Sequence, residues 1–119
     1  MCIRDSYVND SSNVTVTGNV IKNIGGHTVS SNIVGAGIQS SGNSDITITG
    51  NTVTDGLGIG IQCNNSTSAP PERNIISANT IKGVSNPTNI GVSGGINLTN
   101  GNSDKASGTV VTGLSLIHI

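Results

Sequence analysis

Aromatic side chains are almost absent from this sequence of 119 residues, which has no Trp, no Phe and a single tyrosine, Tyr7. Charges are also few, with five Lys and Arg against six Asp and Glu. No run of basic residues is available to neutralise phosphates, so we expect no nucleic-acid partner. No apolar run approaches the roughly 20 residues of a membrane-spanning helix, and we therefore expect no membrane insertion.

Helical periodicity is missing as well, because no stretch repeats apolar residues at intervals of three and four over three turns. Gly, Asn, Ser and Thr are abundant. The net charge, however, is only −1, and Ile and Val recur at regular positions, which is unlike a disordered segment. A core built from β-branched residues favours strands. We therefore predict an all-β protein.

The two ends of the chain are related at the nucleotide level. The opening "MCIRDS" and the closing "LSLIHI" can be encoded by strings that are reverse complements of each other apart from the terminal base. The shared string resembles the transposon-end adapter that is used to prepare sequencing libraries, and segments of that origin are excluded from reasoning about a fold. We therefore expect residues 1–6 and 114–119 to be adapter-derived, and residues 7–113 to be an internal segment of a longer protein.

Within residues 7–113, Cys63 is the only cysteine and His27 is the only histidine. This excludes a disulfide framework and a Cys/His zinc site from the segment, and we expect neither a metal nor another cofactor. Cys63 falls on the inward side of its predicted strand, which indicates a small core residue rather than a nucleophile. His27 follows two glycines in a polar loop without a recurring acidic neighbour, so we do not assign it a catalytic role.

One phrase recurs along the chain, as "NVTVTGNVI" from Asn13, "DITITGNTV" from Asp45 and "NIISANTI" from Asn74. Its alternation of apolar and polar residues predicts strands, and the Gly-Asn or Ala-Asn pair predicts a tight turn. The aligned columns are Gly18, Gly50, Ala78 and Gly113 for the small residue, Asn19, Asn51 and Asn79 for the asparagine, and Val16, Ile48, Ile76 and Val111 for an inward apolar position. Asn74 departs from the pattern, because it takes the place of Val14 and Ile46, and it predicts a strand start that is frayed by the preceding loop.

A second phrase occurs once per repeat, as "GAGIQS", "GIGIQC" and "SGGINL", and aligns Ile38, Ile61 and Ile96. The small residue of the first phrase recurs at intervals of 32, 28 and 35 residues. The additional residues between the phrases are polar and include the pair Pro70-Pro71, as surface loops do. Constant strands joined by variable corners are typical of a solenoid.

These phrases, each followed by a Gly-Ile strand, resemble the repeats of right-handed parallel β-helix proteins, a group that includes pectate-lyase-like enzymes, polysaccharide epimerases and phage tailspikes. The resemblance extends over residues 12–113 and is specific for the fold. It implies an all-β, right-handed parallel β-helix, a solenoid of about three coils plus the start of a fourth. In this group an asparagine at a tight turn commonly stacks from coil to coil in a hydrogen-bonded ladder, and Asn19, Asn51 and Asn79 match that position.

Candidate chemistry is sparse and lies on the predicted outer faces. Lys22 and Lys82 share a column with Thr54 between them, which predicts two amino groups about 10 Å apart on one face, where they can meet an acidic sugar chain. Asp55 follows Thr54 and is a further candidate for carbohydrate binding. Asp45 and Asp55 can also be considered as a carboxylate pair for glycoside cleavage, although an Asp in a turn usually serves the backbone conformation.

Two classes of function remain open. One is a carbohydrate-active lyase, hydrolase or epimerase whose active site lies outside this segment or on its side loops. The other is a non-catalytic β-helix such as a stalk, adhesin or fibre, which the low charge and the scarcity of aromatic residues favour. We expect a structural β-helical segment of a larger secreted, cell-surface or virion protein, with a polysaccharide as a partner on fold analogy alone. Its other expected partners are the neighbouring coils of the full-length chain and, through its open ends, further copies of itself.

Overall fold

All of the regular secondary structure in the computed structural model is β-strand, over the residues that it describes: 4–25, 27–29, 32–42, 44–64, 73–85, 95–99, 110–113 and 115–117. The strands are β1 (Arg4–Asn9), β2 (Thr15–Thr17), β3 (Val20–Ile24), β4 (His27–Val29), β5 (Asn32–Val34), β6 (Ala36–Ser41), β7 (Thr47–Thr49), β8 (Thr52–Leu57), β9 (Ile59–Asn64), β10 (Ile75–Ser77), β11 (Thr80–Ser85), β12 (Ile96–Thr99), β13 (Val110–Thr112) and β14 (Ser115–Ile117). This composition agrees with the prediction of an all-β protein.

Twelve of these strands form three parallel four-stranded sheets, which the chain visits in rotation. The first sheet has the order β1-β6-β9-β12, the second β2-β7-β10-β13 and the third β3-β8-β11-β14. One strand from each sheet makes a coil, so that coil 1 is β1–β3, coil 2 is β6–β8, coil 3 is β9–β11 and coil 4 is β12–β14. The arrangement is compatible with a parallel β-solenoid, and coil 4, expected from the sequence only as a start, has a strand in every sheet.

The register between coils reproduces the columns aligned from the sequence. In the second sheet Val16 pairs with Ile48, Ile48 with Ile76 and Ile76 with Val111. In the first sheet Ile38, Ile61 and Ile96 stand in one column, as aligned. In the third sheet Ile21, Val53 and Ile81, each two residues after a ladder asparagine, form a further column. Because side chains alternate across a strand, these columns all point between the sheets and form one apolar core. Burying each fully enclosed member of these columns contributes roughly 1.5–3 kcal/mol, which drives the stacking of the coils.

The coils bend at positions with positive φ, and three columns contain at least three such positions each. The column between the second and third sheets is Gly18, Gly50, Ala78 and Gly113, with φ of 69°, 65°, 52° and 58°. The column before the second sheet is Asn13, Asp45 and Arg73, and the column inside the strands of the third sheet is Asn23, Asp55 and Gly83. Glycine, asparagine and aspartate tolerate this left-handed conformation best, which is why they recur at the corners.

Two local predictions are corrected by the structure. Asn74 does not mark a frayed strand start, because it is buried and its carbonyl accepts the Val110 N–H at 2.8 Å. His27 does not lie in a loop, because it begins β4, which pairs with β5 in an antiparallel hairpin inserted between coil 1 and coil 2. A short insertion can satisfy its backbone groups by pairing with itself, and the sequence pattern did not reveal this pairing.

The two ends of the chain contribute to the sheets. Arg4 and Ser6 lie in β1 and pair with Ala36 and Ile38, and β14 pairs with β11. An apolar segment at the open edge of a sheet can add a strand whatever its origin, because the edge presents unpaired backbone groups. The adapter-derived origin of residues 1–6 and 114–119 therefore stays a prediction.

Candidate functional site

A ladder of asparagine side chains runs through the corner between the second and third sheets. The Asn19 N–H and Nδ2 both donate to Asn51 Oδ1, at 3.0 and 2.9 Å. The Asn51 N–H and Nδ2 donate in the same way to Asn79 Oδ1, each at 3.0 Å. Each coil therefore donates two hydrogen bonds to the amide oxygen of the next coil. The three asparagines predicted to form a ladder are brought together in one column.

The ladder is also tied to the neighbouring strands. Asn51 Nδ2 donates to the carbonyl oxygens of Val16 and Thr49, at 2.9 and 3.2 Å, and Asn79 Nδ2 donates to the carbonyl oxygen of Ile48 at 2.9 Å. Asn51 and Asn79 are almost fully buried. Buried amides need partners, and in these two side chains both the amide oxygen and the amide nitrogen have one, so the arrangement holds adjacent coils in one register.

A second buried amide, Asn74, has an incomplete set of partners. Its Oδ1 accepts the Ile46 N–H at 3.0 Å, which joins coil 3 to coil 2 as the ladder does. Its Nδ2 is the one buried side-chain nitrogen or oxygen atom without a hydrogen bond in the part of the chain that the structure describes. Sequence reasoning missed this link, although Asn74 stands out in its column as the polar residue among Val14 and Ile46.

The two predicted lysines lie on the outer face of the third sheet. Lys22 and Lys82 each pair with Thr54, from opposite sides, and both lysines are exposed. At roughly 4.8 Å per coil their strand positions are about 10 Å apart. The exposed Asp55 follows Thr54 at a corner position. We call Lys22, Thr54 and Lys82 the lysine stripe. It offers two positive charges to an acidic group on the side of the stack.

Asp45 and Asp55, considered from the sequence as a carboxylate pair, occupy different columns of corners, one before β7 and one within β8. Asp45 instead accepts two hydrogen bonds from Arg73 of the next coil, from Nε and Nη2 at 2.8 Å each. The Arg73 guanidinium thereby holds the pKa of the Asp45 carboxyl below its ordinary value. This carboxylate serves an inter-coil ion pair, which the 28-residue interval between the two positions indicates in retrospect.

Cys63 lies in the core of the first sheet and is almost fully buried. Burial raises the pKa of its thiol to about 12, since the low-dielectric core disfavours the thiolate. A thiol in this state is not a nucleophile. The position agrees with the inward side of the strand on which the sequence placed Cys63.

The outer face of the first sheet carries a stripe that sequence reasoning missed. Tyr7, Gln39, Gln62 and Asn97 stand in one register column across coils 1 to 4, and we call them the amide stripe. Gln39 is buried, at 8% exposed, whereas Gln62 and Asn97 are half-buried. The Tyr7 side chain is 47% exposed and its hydroxyl donates to Asn9 Oδ1 at 3.1 Å. The sequence contains a pattern that indicates this stripe, because the residue after the aligned isoleucine of the second phrase is Gln in two repeats and Asn in the third. Amides both donate and accept hydrogen bonds, which suits neighbouring sugar hydroxyls.

Two features are absent from the residues that the structure describes. These residues contain no group of three or more His, Cys, Asp or Glu that could hold a metal ion. They also contain no helix that is long and apolar enough to cross a membrane.

Comparison with protein families, with curated proteins and with solved structures gave no match for this chain.

Proposed function

We propose that this chain is a structural segment of a right-handed parallel β-helix, part of a larger secreted, cell-surface or virion protein. The observation that carries the proposal is the asparagine ladder, in which each coil donates two hydrogen bonds to the next. The ladder and the apolar columns together join each coil to the next through buried side chains. Such contacts between neighbouring repeats are what a stiff stalk or fibre requires.

The right-handed sense rests on a general preference of parallel sheets. A connection that leaves a strand and returns to the same parallel sheet is right-handed in about 98% of cases, because strands themselves twist to the right. Each sheet here contains three such returns. The repeat phrases resemble those of right-handed β-helices as well. A crystal structure with coils of the opposite hand would contradict this part of the proposal.

A polysaccharide is the partner that we propose for the side of the stack. The amide stripe supports this, because it combines a half-exposed tyrosine with two half-buried amides, Gln62 and Asn97, in one column whose positions are spaced by roughly 4.8 Å. The four positions extend over about 14 Å, a length suited to an extended sugar chain that lies along the stack. The lysine stripe and Asp55 are a second candidate surface, and their charges favour an acidic sugar.

Affinity electrophoresis in gels that contain neutral or acidic polysaccharides tests the proposal. We expect at least one polysaccharide to retard the chain and Gln62→Ala to weaken that retardation by about tenfold in affinity, the loss of about 1.4 kcal/mol. Thr47→Ala, on the outer face of the second sheet, is the matched control and should leave retardation unchanged. Loss of binding only with Lys22→Ala and Lys82→Ala would move the site to the lysine stripe.

The same samples distinguish a structural segment from an enzyme that acts on the polysaccharide. A structural segment binds the polysaccharide without cleaving it, so no new reducing ends or unsaturated sugars should appear during incubation. Release of such products by the chain would contradict the structural assignment. Absence of retardation by every polysaccharide would contradict the carbohydrate part of the proposal and leave the coil stack unaffected.

A further inference from the structure

The two ends of the coil stack carry edge strands. In the described part of the chain, β1, β2 and β3 are at one edge of the three sheets, and β12, β13 and β14 are at the other. We call these the coil 1 end and the coil 4 end. An edge strand presents unpaired N–H and C=O groups, which form a template for strands of another molecule.

The apolar core is exposed at the coil 4 end. Val111 occupies the same column as Ile48 and Ile76, yet it is 40% exposed, whereas those two are 0% and 1% exposed. Leu98 continues the column of Ser40 and Cys63, and it too is exposed while they are buried. These side chains differ from their interior counterparts in that no described coil follows them. The coil 4 end is therefore an apolar surface with the shape of an interior layer.

The ladder is incomplete at the coil 1 end. Asn19 Nδ2 donates to Asn51 Oδ1 and to the Thr17 carbonyl, just as Asn51 Nδ2 donates to Asn79 Oδ1 and to the Thr49 carbonyl. Asn19 therefore holds its amide as the interior rungs do. In those rungs Oδ1 accepts two hydrogen bonds from the preceding coil, but Asn19 is exposed and its Oδ1 accepts none from the described residues.

We propose that the coil 4 end of one 119-residue chain stacks on the coil 1 end of a second copy, head to tail, through the same faces that would meet the neighbouring coils within the larger protein proposed above. The strands of every sheet are parallel, so this contact continues each sheet in the same direction and extends the apolar columns. Contact between two like ends would pair the strands antiparallel and would break the register of the ladder. A head-to-tail contact does not close on itself, and it therefore produces linear assemblies.

The dimensions and the charges of the stack fit this contact. Four coils at roughly 4.8 Å extend over only about 14 Å along the stack, while the Cα extents of the molecule are 31 × 31 × 23 Å. A face of this width can supply the roughly 800 Å² that each partner contributes to a standard interface. Lys22 and Lys82 project from the outer face of the third sheet, and Asp45 and Arg73 pair at a corner, so these charges do not oppose stacking.

Sedimentation velocity of the 119-residue chain at increasing concentration is the first measurement. We expect the parent chain to form a concentration-dependent series of oligomers. Val111→Lys places a charge on the coil 4 end and should reduce the chain to a monomer. Val110→Lys is the matched control, because Val110 precedes Val111 on the same strand, faces outward and is 49% exposed. It should assemble like the parent. Far-UV circular dichroism checks that each variant keeps its strands.

A mixing experiment distinguishes head-to-tail from like-to-like contact. Val16→Lys places a charge on the coil 1 end, and Thr17→Lys is its outward control. Val16→Lys and Val111→Lys should each be monomeric alone, whereas their equimolar mixture should form a one-to-one dimer and nothing larger, because each contributes one open end. If Val16→Lys does not fold, Asn19→Leu replaces it, since it removes the Oδ1 acceptor at an exposed position.

Three results would overturn the proposal. They are a parent chain that stays monomeric at all concentrations, assembly of Val111→Lys that equals that of the parent, and dimers of Val111→Lys alone. None of these results depends on polysaccharide binding, so the stacking proposal and the carbohydrate proposal can fail separately.

Discussion

Replacement of Asn51 by alanine measures what the ladder contributes to stability. The change removes the Oδ1 that accepts two hydrogen bonds from Asn19, and the Nδ2 that donates to Asn79 Oδ1 and to the carbonyls of Val16 and Thr49. Asn79 Oδ1 keeps the bond from the residue 51 N–H, and the exposed Asn19 can turn to water. The strand carbonyls and the emptied space remain inside the stack.

The expected cost follows from these unpaired groups. A buried polar group left without a partner costs about 1–3 kcal/mol, and each remaining hydrogen bond contributes about 1 kcal/mol net. We therefore expect Asn51→Ala to lower the free energy of unfolding by about 3 kcal/mol. Asn19→Ala is the matched control, because it truncates a rung of the same ladder at an exposed position, and surface substitutions of this kind change stability by about 0.5 kcal/mol.

Urea unfolding followed by far-UV circular dichroism provides the measurement. Both substitutions are made in the Val111→Lys chain, so that self-association does not add to the apparent stability. The denaturant slopes of the variants must agree if the free energies are to be compared. Equal losses for Asn51→Ala and Asn19→Ala would refute the reasoning, because burial of the ladder would then have no energetic consequence.

Ala78 is the one member of the Gly18 corner column that is not glycine, and its φ is 52°. A left-handed conformation costs an L residue roughly 1–2 kcal/mol. We therefore expect Ala78→Gly to stabilise the chain by up to about 1 kcal/mol in the same unfolding assay, and Gly50→Ala to destabilise it by a similar amount. A destabilising effect of Ala78→Gly would contradict this account of the corner. The hydrogen bonds from Arg73 hold the pKa of Asp45 below its ordinary value of 3.8, so the stability that this pair contributes is present above that pH and is lost as the pH falls through the lowered pKa. Titration of the Asp45 carboxyl by NMR should show its pKa return toward 3.8 in Arg73→Gln, and an unchanged pKa would argue against the ion pair.

Local information in the sequence determined the strand class and the alignment of the coils. Val16, Ile48 and Ile76 fall into one column because a strand has a side-chain period of two and because Gly-Asn marks the same corner each time. Both signals are contained within about ten residues, so they can be read without knowledge of what packs where. The same alignment puts Asn19, Asn51 and Asn79 in one column, and the resemblance to β-helix repeats implied that they form a ladder.

The tertiary structure decided the features that depend on which residues face each other across coils. Between coils 2 and 3, paired residues are 23 positions apart in the first sheet, from Ile38 to Ile61, and 28 positions apart in the second, from Ile48 to Ile76. The connections between the strands therefore differ in length. The repeat alignment places Arg73 in the column of Asp45 and Asn74 in the column of Ile46. It does not show by itself that the two charged side chains pair, that Asn74 Oδ1 accepts the Ile46 N–H, or that Tyr7 stands beside Gln39. Such contacts join residues 28 to 32 positions apart. They form only when hydrophobic burial has fixed the register of whole coils, because no local turn or period specifies them.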